Sequence, residues 1–176
     1  VIKPFKIVVD AANAMGILDV VKIFENHPCE LIKVNFELDG SFPSHQPDPL
    51  APENLELAKQ KVLETGADLA IVPDGDGDRY FFIDEKGNDI PQSILRGLMA
   101  QLALKDHPGA AICYDIRPGR ITRDLIEAVG GKASVTRVGH SLIKEQMLRE
   151  NAVFGGESSG HYFYKLSCGT FETPFI

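Results

Sequence analysis

This 176-residue sequence contains no cysteine pair: Cys29, Cys113 and Cys168 are odd in number, scattered and without a Cys-x-x-Cys spacing. That argues against a disulfide framework and for structural thiols in a reducing compartment, so the expected location is cytoplasmic. Basic excess is missing as well. A formal net charge of −7 argues against a general nucleic-acid binder, whose footprint is positive, while leaving room for a local basic pocket. No apolar run approaches the ~18 residues of a membrane span, and no signal peptide is visible. Neither a nucleic acid nor a membrane is therefore expected as a partner. There is no Walker loop, no arguable Ser-His-Asp arrangement, and no serine whose context marks it as a nucleophile. An initiator methionine is missing too: Val1 stands directly before a strand, and Phe175-Ile176 stops inside an apolar segment. The expectation is a piece of a longer protein. What is present is a hydrophobic content of 44% with both signs of charge mixed, enough for a real core in one or two domains.

The most informative stretch is Leu69-Ala70-Ile71-Val72-Pro73-Asp74-Gly75-Asp76-Gly77-Asp78-Arg79. Its apolar start, with β-branched Ile71 and Val72, reads as a buried strand, and Tyr80-Phe81-Phe82-Ile83 leads away as another. Between them, three carboxylates at alternate positions repel one another and are costly to desolvate unless a cation neutralises them. The intervening glycines permit the positive φ that lets alternate side chains converge. Oxygen-only donors favour a hard cation, Mg²⁺ or Ca²⁺, over zinc. Three readings are open: a solvated acidic turn, a calcium loop, and a Mg²⁺ site for phosphoryl chemistry with Arg79 aimed at phosphate oxygens. The calcium loop puts Glu85 at its twelfth position, but it needs glycine where Arg79 stands and helices where the flanks read as strands. The Mg²⁺ reading leads.

In chain order, Lys6 to Asp10 is a strand and Ala11-Ala12-Asn13-Ala14-Met15-Gly16 is its small-residue exit loop. Residues 17–26 have helical periodicity through Ile17, Leu18, Val21 and Phe24, and Glu30 to Phe36 is a second strand. Proline recurs too often in residues 39–49 for regular structure. Glu53 to Thr65 is an amphipathic helix turning Leu55, Ala58, Val62 and Leu63 inward, with Gly66 as its C-cap. Residues 91–105 form a helix carrying Ile94, Leu95, Leu98, Met99 and Leu102 on its apolar side. Ala110 to Asp115 is a strand, Ile121 to Val129 a helix, Ala133 to Val138 a strand and His140 to Asn151 a helix. Val153-Phe154 then enters the loop 155–161, and Tyr162-Phe163-Tyr164 leaves it. Strand, loop, helix, strand, helix, strand, polar loop, strand has thus occurred twice. The expected fold class is α/β: two tandem similar domains, 1–88 and 89–176, each a small mixed, largely parallel sheet packed with helices. Each offers a polar loop at the carboxyl ends of its strands, where ligands gather.

The second loop, Gly155-Gly156-Glu157-Ser158-Ser159-Gly160-His161, packs one carboxylate, two hydroxyls and an imidazole among three glycines. That set suits a polyol such as a sugar; an ordinary glycine-rich turn is the other reading. Arg117 and Arg120, around Pro118-Gly119, read either as a phosphate clamp or as surface arginines. His140 opens a helix after Val138-Gly139, as a proton carrier or a solvated cap.

With Asp74 to Arg79, Gly139-His140-Ser141 and the Glu157 loop all in order, the chain resembles the α-D-phosphohexomutase family, nearest its phosphomannomutase/phosphoglucomutase branch. The likeness runs from Lys6-Ile7-Val8-Val9-Asp10-Ala11-Ala12-Asn13 through Phe42-Pro43-Ser44-His45-Gln46-Pro47-Asp48-Pro49 to the end. That family has four domains, and this chain resembles the second and most of the third. The resemblance implies that Asp74, Asp76 and Asp78 ligate Mg²⁺, completed by a phosphoserine of the first domain, and that Arg79 faces the phosphoserine and the moving phosphoryl group. It implies that Glu157 and Ser159 bind sugar hydroxyls, with His161 in the same loop. Gly139 and His140 match a substrate-contacting segment, His140 being the candidate for proton transfer. Arg117 matches a catalytic position where many relatives carry lysine; arginine keeps the charge but not the ability to release a proton. The implied reaction moves phosphate between the 1- and 6-positions of a hexose, mannose or glucose, through a bisphosphorylated sugar. The family's serine loop and fourth-domain phosphate loop are not among these residues. The expected partners are therefore a hexose phosphate and the first and fourth domains, and the chain alone is expected to be inactive. Two rivals stand beside this. A haloacid-dehalogenase-type phosphatase would use Asp74 as nucleophile but wants threonine or valine at position 78. A calcium- or sugar-binding module would carry no chemistry.

Overall fold

The computed structural model describes residues 3–117 and 119–172; Val1, Pro118 between the two arginines, and Phe175-Ile176 lie outside the described residues. The chain divides into two compact units, Val1–Ile90 and Pro91–Ile176.

In the first unit, β1 (Lys6–Asp10), α1 (Gly16–Phe24) and β2 (Glu30–Val34) are followed by a 3-10 turn (Pro52–Leu55) running into α2 (Glu56–Thr65). β3 (Leu69–Pro73) and β4 (Tyr80–Asp84) complete it. The sheet order is β2-β1-β3-β4, with β1 parallel to both neighbours and β4 antiparallel to β3. Parallel neighbours require crossovers, which α1 and α2 supply; the antiparallel step needs only the loop 74–79. Val8, Ala70 and Val72 point to one face of the sheet, where Ala58 and Val62 of α2 and Ile83 of β4 close a core.

Three expectations are corrected here. The buried row of α1 is Gly16, Ile17 and Val20, while Leu18 and Val21 are exposed. Gly16 sets that phase, because a Cβ there would stand 2.4 Å from Pro73 Cβ and only glycine lets the helix start against the end of β3. The 3-10 turn and α2 bury Leu55, Ala58 and Val62 but leave Leu63 63% exposed. β2 ends at Val34 rather than Phe36, since Asn35 turns left-handed at φ 51°. Gly66 does close α2 in the left-handed conformation, at φ 64°.

The second unit contains α3 (Gln92–Asp106), β5 (Ala111–Asp115), α4 (Arg120–Glu127), β6 (Lys132–Thr136), α5 (His140–Glu150), β7 (Phe154–Gly156), β8 (Tyr162–Leu166) and β9 (Gly169–Glu172). Its order, β6-β5-β7-β8-β9, repeats the first sheet and adds β9 on the edge, a strand not expected from the sequence. β5 is parallel to β6 and β7, and the other pairs are antiparallel. Alternation along β5 sends Ile112 and Tyr114 towards Ala100, Leu104 and Ile126 of α3 and α4. Cys113 faces Ile143 and Met147 of α5 on the other side. Burial pushes the Cys113 thiol up to about 12, so it behaves as an inert core group.

The largest departure is the phase of α3. Ile94, Leu98 and Leu102, expected inward, are exposed; the buried face is Gln92, Ser93, Arg96, Gly97, Ala100 and Leu104, with Leu95 and Met99 at its margin. Gly97 meets α4 so closely that a Cβ would stand 2.5 Å from Leu125 Cδ1. Helices that approach this closely do so along small residues, and the leucines are turned out as a result. No helix among the described residues is long and apolar enough to cross a membrane.

Candidate functional site

β3 delivers the chain to Asp74 and β4 receives it from Arg79, with the Asp74 amide donating to the Arg79 carbonyl at 3.1 Å across the neck of the loop. Asp74 is buried and both its oxygens are engaged. Oδ1 accepts from the amides of Gly77 and Arg79, each at 3.1 Å, and Oδ2 accepts from Arg79 Nε at 2.6 Å. Gly77 makes the reversal at φ 78°. Arg79 Nε also lies 3.5 Å from Asp78 Oδ1. Carboxylate oxygens of Asp74, Asp76 and Asp78 lie within 4.8 Å of one another, the first buried, the second exposed and the third half-buried.

That set fits a hard dication. Oxygens on one octahedral Mg²⁺ stand at ~2.1 Å from it and at most ~4.2 Å apart, so small side-chain rotations close the three on an ion. Three carboxylates and one guanidinium leave two formal negative charges, which a dication balances. The flanks are strands, not the helices of a helix–loop–helix calcium site. Two neighbours brace the loop: the Met15 amide donates to the Gly75 carbonyl at 3.3 Å, and a Cβ on Gly75 would stand 3.2 Å from Pro47 Cγ. Tyr80, next in the chain, donates its hydroxyl to Asp19 Oδ2 at 3.3 Å. Burial first, then the Asp19 charge, raises its pKa far above the usual phenol value, so it stays neutral.

A second polar network, not foreseen from the sequence, sits at the end of β1. Asp10 is fully buried, accepts from Asn35 Nδ2 at 2.8 Å and the Ala12 amide at 3.3 Å, and pairs with His45 Nε2 at 3.2 Å. Ala12, Asn13, Asn35 and Phe42 all take positive φ, between 47° and 61°. So many left-handed non-glycine residues persist only where surrounding bonds dictate them. The network anchors the proline-rich loop whose Pro47 rests on Gly75. Its one readable trace was a histidine among prolines.

In the second unit the polar loop follows β7. Glu157 is buried; its Oε1 accepts from the Gly139 amide at 2.9 Å and its Oε2 from Ser159 Oγ at 3.2 Å. His161 Nδ1 lies 2.8 Å from Ser159 Oγ and 3.3 Å from Glu157 Oε2. The His161 hydrogen bond, joined by Gly139 and Ser159 and opposed by burial, holds the Glu157 carboxyl below its usual range. Gly139, Glu157, Ser159 and His161 therefore form one cluster. Gly139 adopts φ 131°, open to glycine, and His140 is exposed as the first residue of α5. Arg117 is exposed, with Nη2 3.6 Å from Asp115 Oδ2. Arg120, which read with Arg117 either as a phosphate clamp or as a surface arginine, is almost wholly exposed, with Nε 3.8 Å from Asp124 Oδ2.

Sequence reasoning missed Arg96 and Asp115 altogether. Both are completely buried, and Arg96 Nη1 donates to Asp115 Oδ1 at 2.7 Å. The available signal was an arginine between leucine and glycine in the otherwise apolar run 94–100. Asp115 in turn accepts from the Ser158 amide at 3.0 Å, Ser158 Oγ at 2.7 Å and the Arg117 amide at 3.2 Å. Burial, the largest single influence, pushes its carboxyl up, but the Ser158 and Arg96 hydrogen bonds outweigh it and hold the group below the usual range.

Two α/β units of one strand order, one ending in an oxygen-donor loop and the other in a carboxylate–hydroxyl–imidazole loop, define a class. The chain belongs to the α-D-phosphohexomutase family, in its phosphomannomutase/phosphoglucomutase branch, as domains II and III. Residues 2–87 match "Phosphoglucomutase/phosphomannomutase, alpha/beta/alpha domain II" and residues 91–170 match the corresponding domain III. It is similar to the phosphomannomutase/phosphoglucomutase of Pseudomonas putida, 42% identical over 163 residues, covering 93% of this chain and 35% of that protein. Among solved structures, a phosphoglucomutase/phosphomannomutase family protein from Burkholderia thailandensis matches with a TM-score of 0.87 at 36% identity, over 93% of this chain and 36% of that one. Aspergillus fumigatus N-acetylphosphoglucosamine mutase, in complex with GlcNAc-6P and magnesium, shares the fold at a TM-score of 0.67 and 16% identity, over 94% of this chain and 37% of that one. The chain thus spans a little over a third of the length of these relatives.

Proposed function

We propose that this chain supplies the metal-binding and sugar-reading parts of a cytoplasmic phosphohexomutase that interconverts hexose 1-phosphate and hexose 6-phosphate, of mannose, glucose or both. One observation carries the reading. The same strand order occurs twice, and the polar loop after the third strand of each unit gathers a different chemistry: oxygen donors with an arginine in one, a carboxylate with a hydroxyl and an imidazole in the other. The named activity of the Pseudomonas putida relative, and the sugar phosphate and magnesium in the Aspergillus complex, support the substrate class and the metal. Unpaired Cys29, Cys113 and Cys168 are in keeping with a reducing compartment.

In this reading residues 1–88 are the metal domain, where Asp74, Asp76 and Asp78 hold Mg²⁺. The ion, when bound, neutralises charge on a transferring phosphoryl group. Arg79 is tethered through Nε to Asp74 and turns its remaining N–H groups to phosphoryl oxygens. Residues 89–176 are the sugar domain. There Glu157, kept ionised by His161 and the Gly139 amide, accepts from sugar hydroxyls, and Ser159 binds beside it. Gly139 brings backbone close to the substrate without a side chain, and His140 at the start of α5 moves a proton to or from the reacting hydroxyl. Arg117 binds phosphate; permanently charged, it moves no proton. A phosphoserine on a first domain is the donor, and the exchange passes through a bisphosphorylated sugar.

The test is conversion of mannose 1-phosphate and glucose 1-phosphate by the full-length protein. Chelation is expected to abolish turnover, and Arg79→Ala to lower kcat on the order of 10²–10³-fold. Failure to convert either sugar overturns the proposal. So does net phosphate release with a phosphoryl group trapped on Asp74, which is the phosphatase outcome.

A further inference from the structure

We propose that Arg96 is the positioning residue of the sugar domain: a single buried guanidinium that, through Asp115, holds the Arg117 segment and the Glu157 loop in fixed register with each other. The inference rests on the function proposed above and names a residue that makes no contact with substrate in it.

Arg96 lies on α3, and its side chain is fully buried. Its acceptors come from four different segments. Nη1 donates to Asp115 Oδ1 at 2.7 Å, at the end of β5, and to the Gly156 carbonyl at 3.4 Å, at the end of β7. Nη2 donates to the Arg117 carbonyl at 3.3 Å and to Thr122 Oγ1 at 3.0 Å, in the first turn of α4. Nε donates to the same hydroxyl at 3.2 Å, and Thr122 passes its own proton to the Ser93 carbonyl at 2.8 Å. The guanidinium lies 5.4 Å from the Tyr114 ring centroid. Its stem fills the space a side chain at position 156 would need: a Cβ on Gly156 would stand 2.7 Å from Arg96 Cγ.

What Asp115 does with its other bonds makes this more than a core ion pair. It accepts the Arg117 amide on the oxygen that Arg96 holds, and both the amide and hydroxyl of Ser158 on the other. Arg117 is thus gripped at its amide by Asp115 and at its carbonyl by Arg96, while Ser158 fixes the loop between Glu157 and Ser159. A buried ion pair adds little to stability over apolar packing of the same volume, but a planar fork with fixed donor directions specifies geometry. Lysine, with one point charge, cannot reach the Asp115, Gly156, Arg117 and Thr122 acceptors together. In the first unit the buried aspartate ending β1 is bonded by His45 and Asn35 instead, with no arginine or lysine bonded to it among the described residues.

Two measurements decide it. In the 176-residue chain, ¹⁵N spectra of Arg96→Lys are expected to show the Arg117 and Ser158 amides shifting together, while the Gly77 and Arg79 amides stay in place. In the full-length protein, at temperatures where every variant is fully folded, Arg96→Lys is expected to lower kcat for mannose and glucose 1-phosphates on the order of 10²-fold, as misplacement of a site by ~1 Å does. KM is expected to change less, and Arg96→Met to be the more severe. Ser158→Ala combined with Arg96→Lys is expected to be less than additive, since both act through Asp115. A lower melting temperature with kcat and KM unchanged makes Arg96 a fold staple and overturns the inference. If Arg96→Met does not fold, Arg96→Lys and the double variant still decide. If the wild type converts no hexose phosphate, the proposed function has failed, and an absence of joint amide shifts then separately defeats the coupling through Arg96.

Discussion

Asp74 illustrates how much one side chain holds: its two oxygens take two amides and a guanidinium, so it shapes the loop by itself. Asp74→Asn removes the charge opposite Arg79, and the expected loss of stability is about 1–3 kcal/mol, read by urea denaturation. Gly16→Ala puts a methyl 2.4 Å from Pro73 Cβ and 2.5 Å from its Cγ, against a rigid ring that has little room to give way. The expected cost is about 1–3 kcal/mol, by the same measurement. Acid should act through two residues of the second unit. Asp115 and Glu157 titrate below their ordinary values of 3.8 and 4.5 in the fold, so on acidification the unfolded chain takes up their protons first. The stability they contribute is complete above those ordinary values and is lost as pH falls through the folded ones. The thermal midpoint is therefore expected to drop below about pH 4, less steeply in Glu157→Gln; a midpoint that rises on acidification contradicts this.

The helices carry the second lesson. α3 has enough leucine to suggest one apolar face and buries a different one, because Gly97 against Leu125 and Arg96 against Asp115 decide its rotation together. Leu98→Gln in this chain is accordingly expected to change stability by no more than about 0.5 kcal/mol. Ile126→Ala, in the core where α3 and α4 meet the sheet, is expected to cost about 2–5 kcal/mol. Equal losses in the two denaturation curves would mean that α3 is rotated otherwise. α1 behaves in the same way, its phase set by one glycine rather than by its hydrophobic pattern.

For the molecule as a whole, the repeated strand order puts comparable loops on separate sheets, and in the proposed function neither loop is a complete site. Three carboxylates offer an octahedral ion only part of its oxygen shell. The 176-residue chain is therefore expected to bind Mg²⁺ weakly in calorimetry and to turn over no hexose phosphate. Tight binding, or turnover by the chain alone, contradicts the proposed division of labour.

Much of this was legible in the residues alone. Alternating apolar strands, glycines at the turns and carboxylates two apart are short-range signals, and they were enough for the paired α/β fold; the family came from the resemblance carried by Asp74 to Arg79, Gly139-His140-Ser141 and the Glu157 loop. The cluster of Gly139, Glu157, Ser159 and His161 was half legible, since Gly139 lies far from the loop in sequence. What tertiary structure decided was which side of each helix faces inward, the added strand β9, and the partners of Arg96, Asp115 and His45. A helix pattern records where apolar residues recur, but its rotation is settled by the closest approach of a neighbour, and a buried charge is settled by a partner elsewhere in the chain. Neither leaves a local mark.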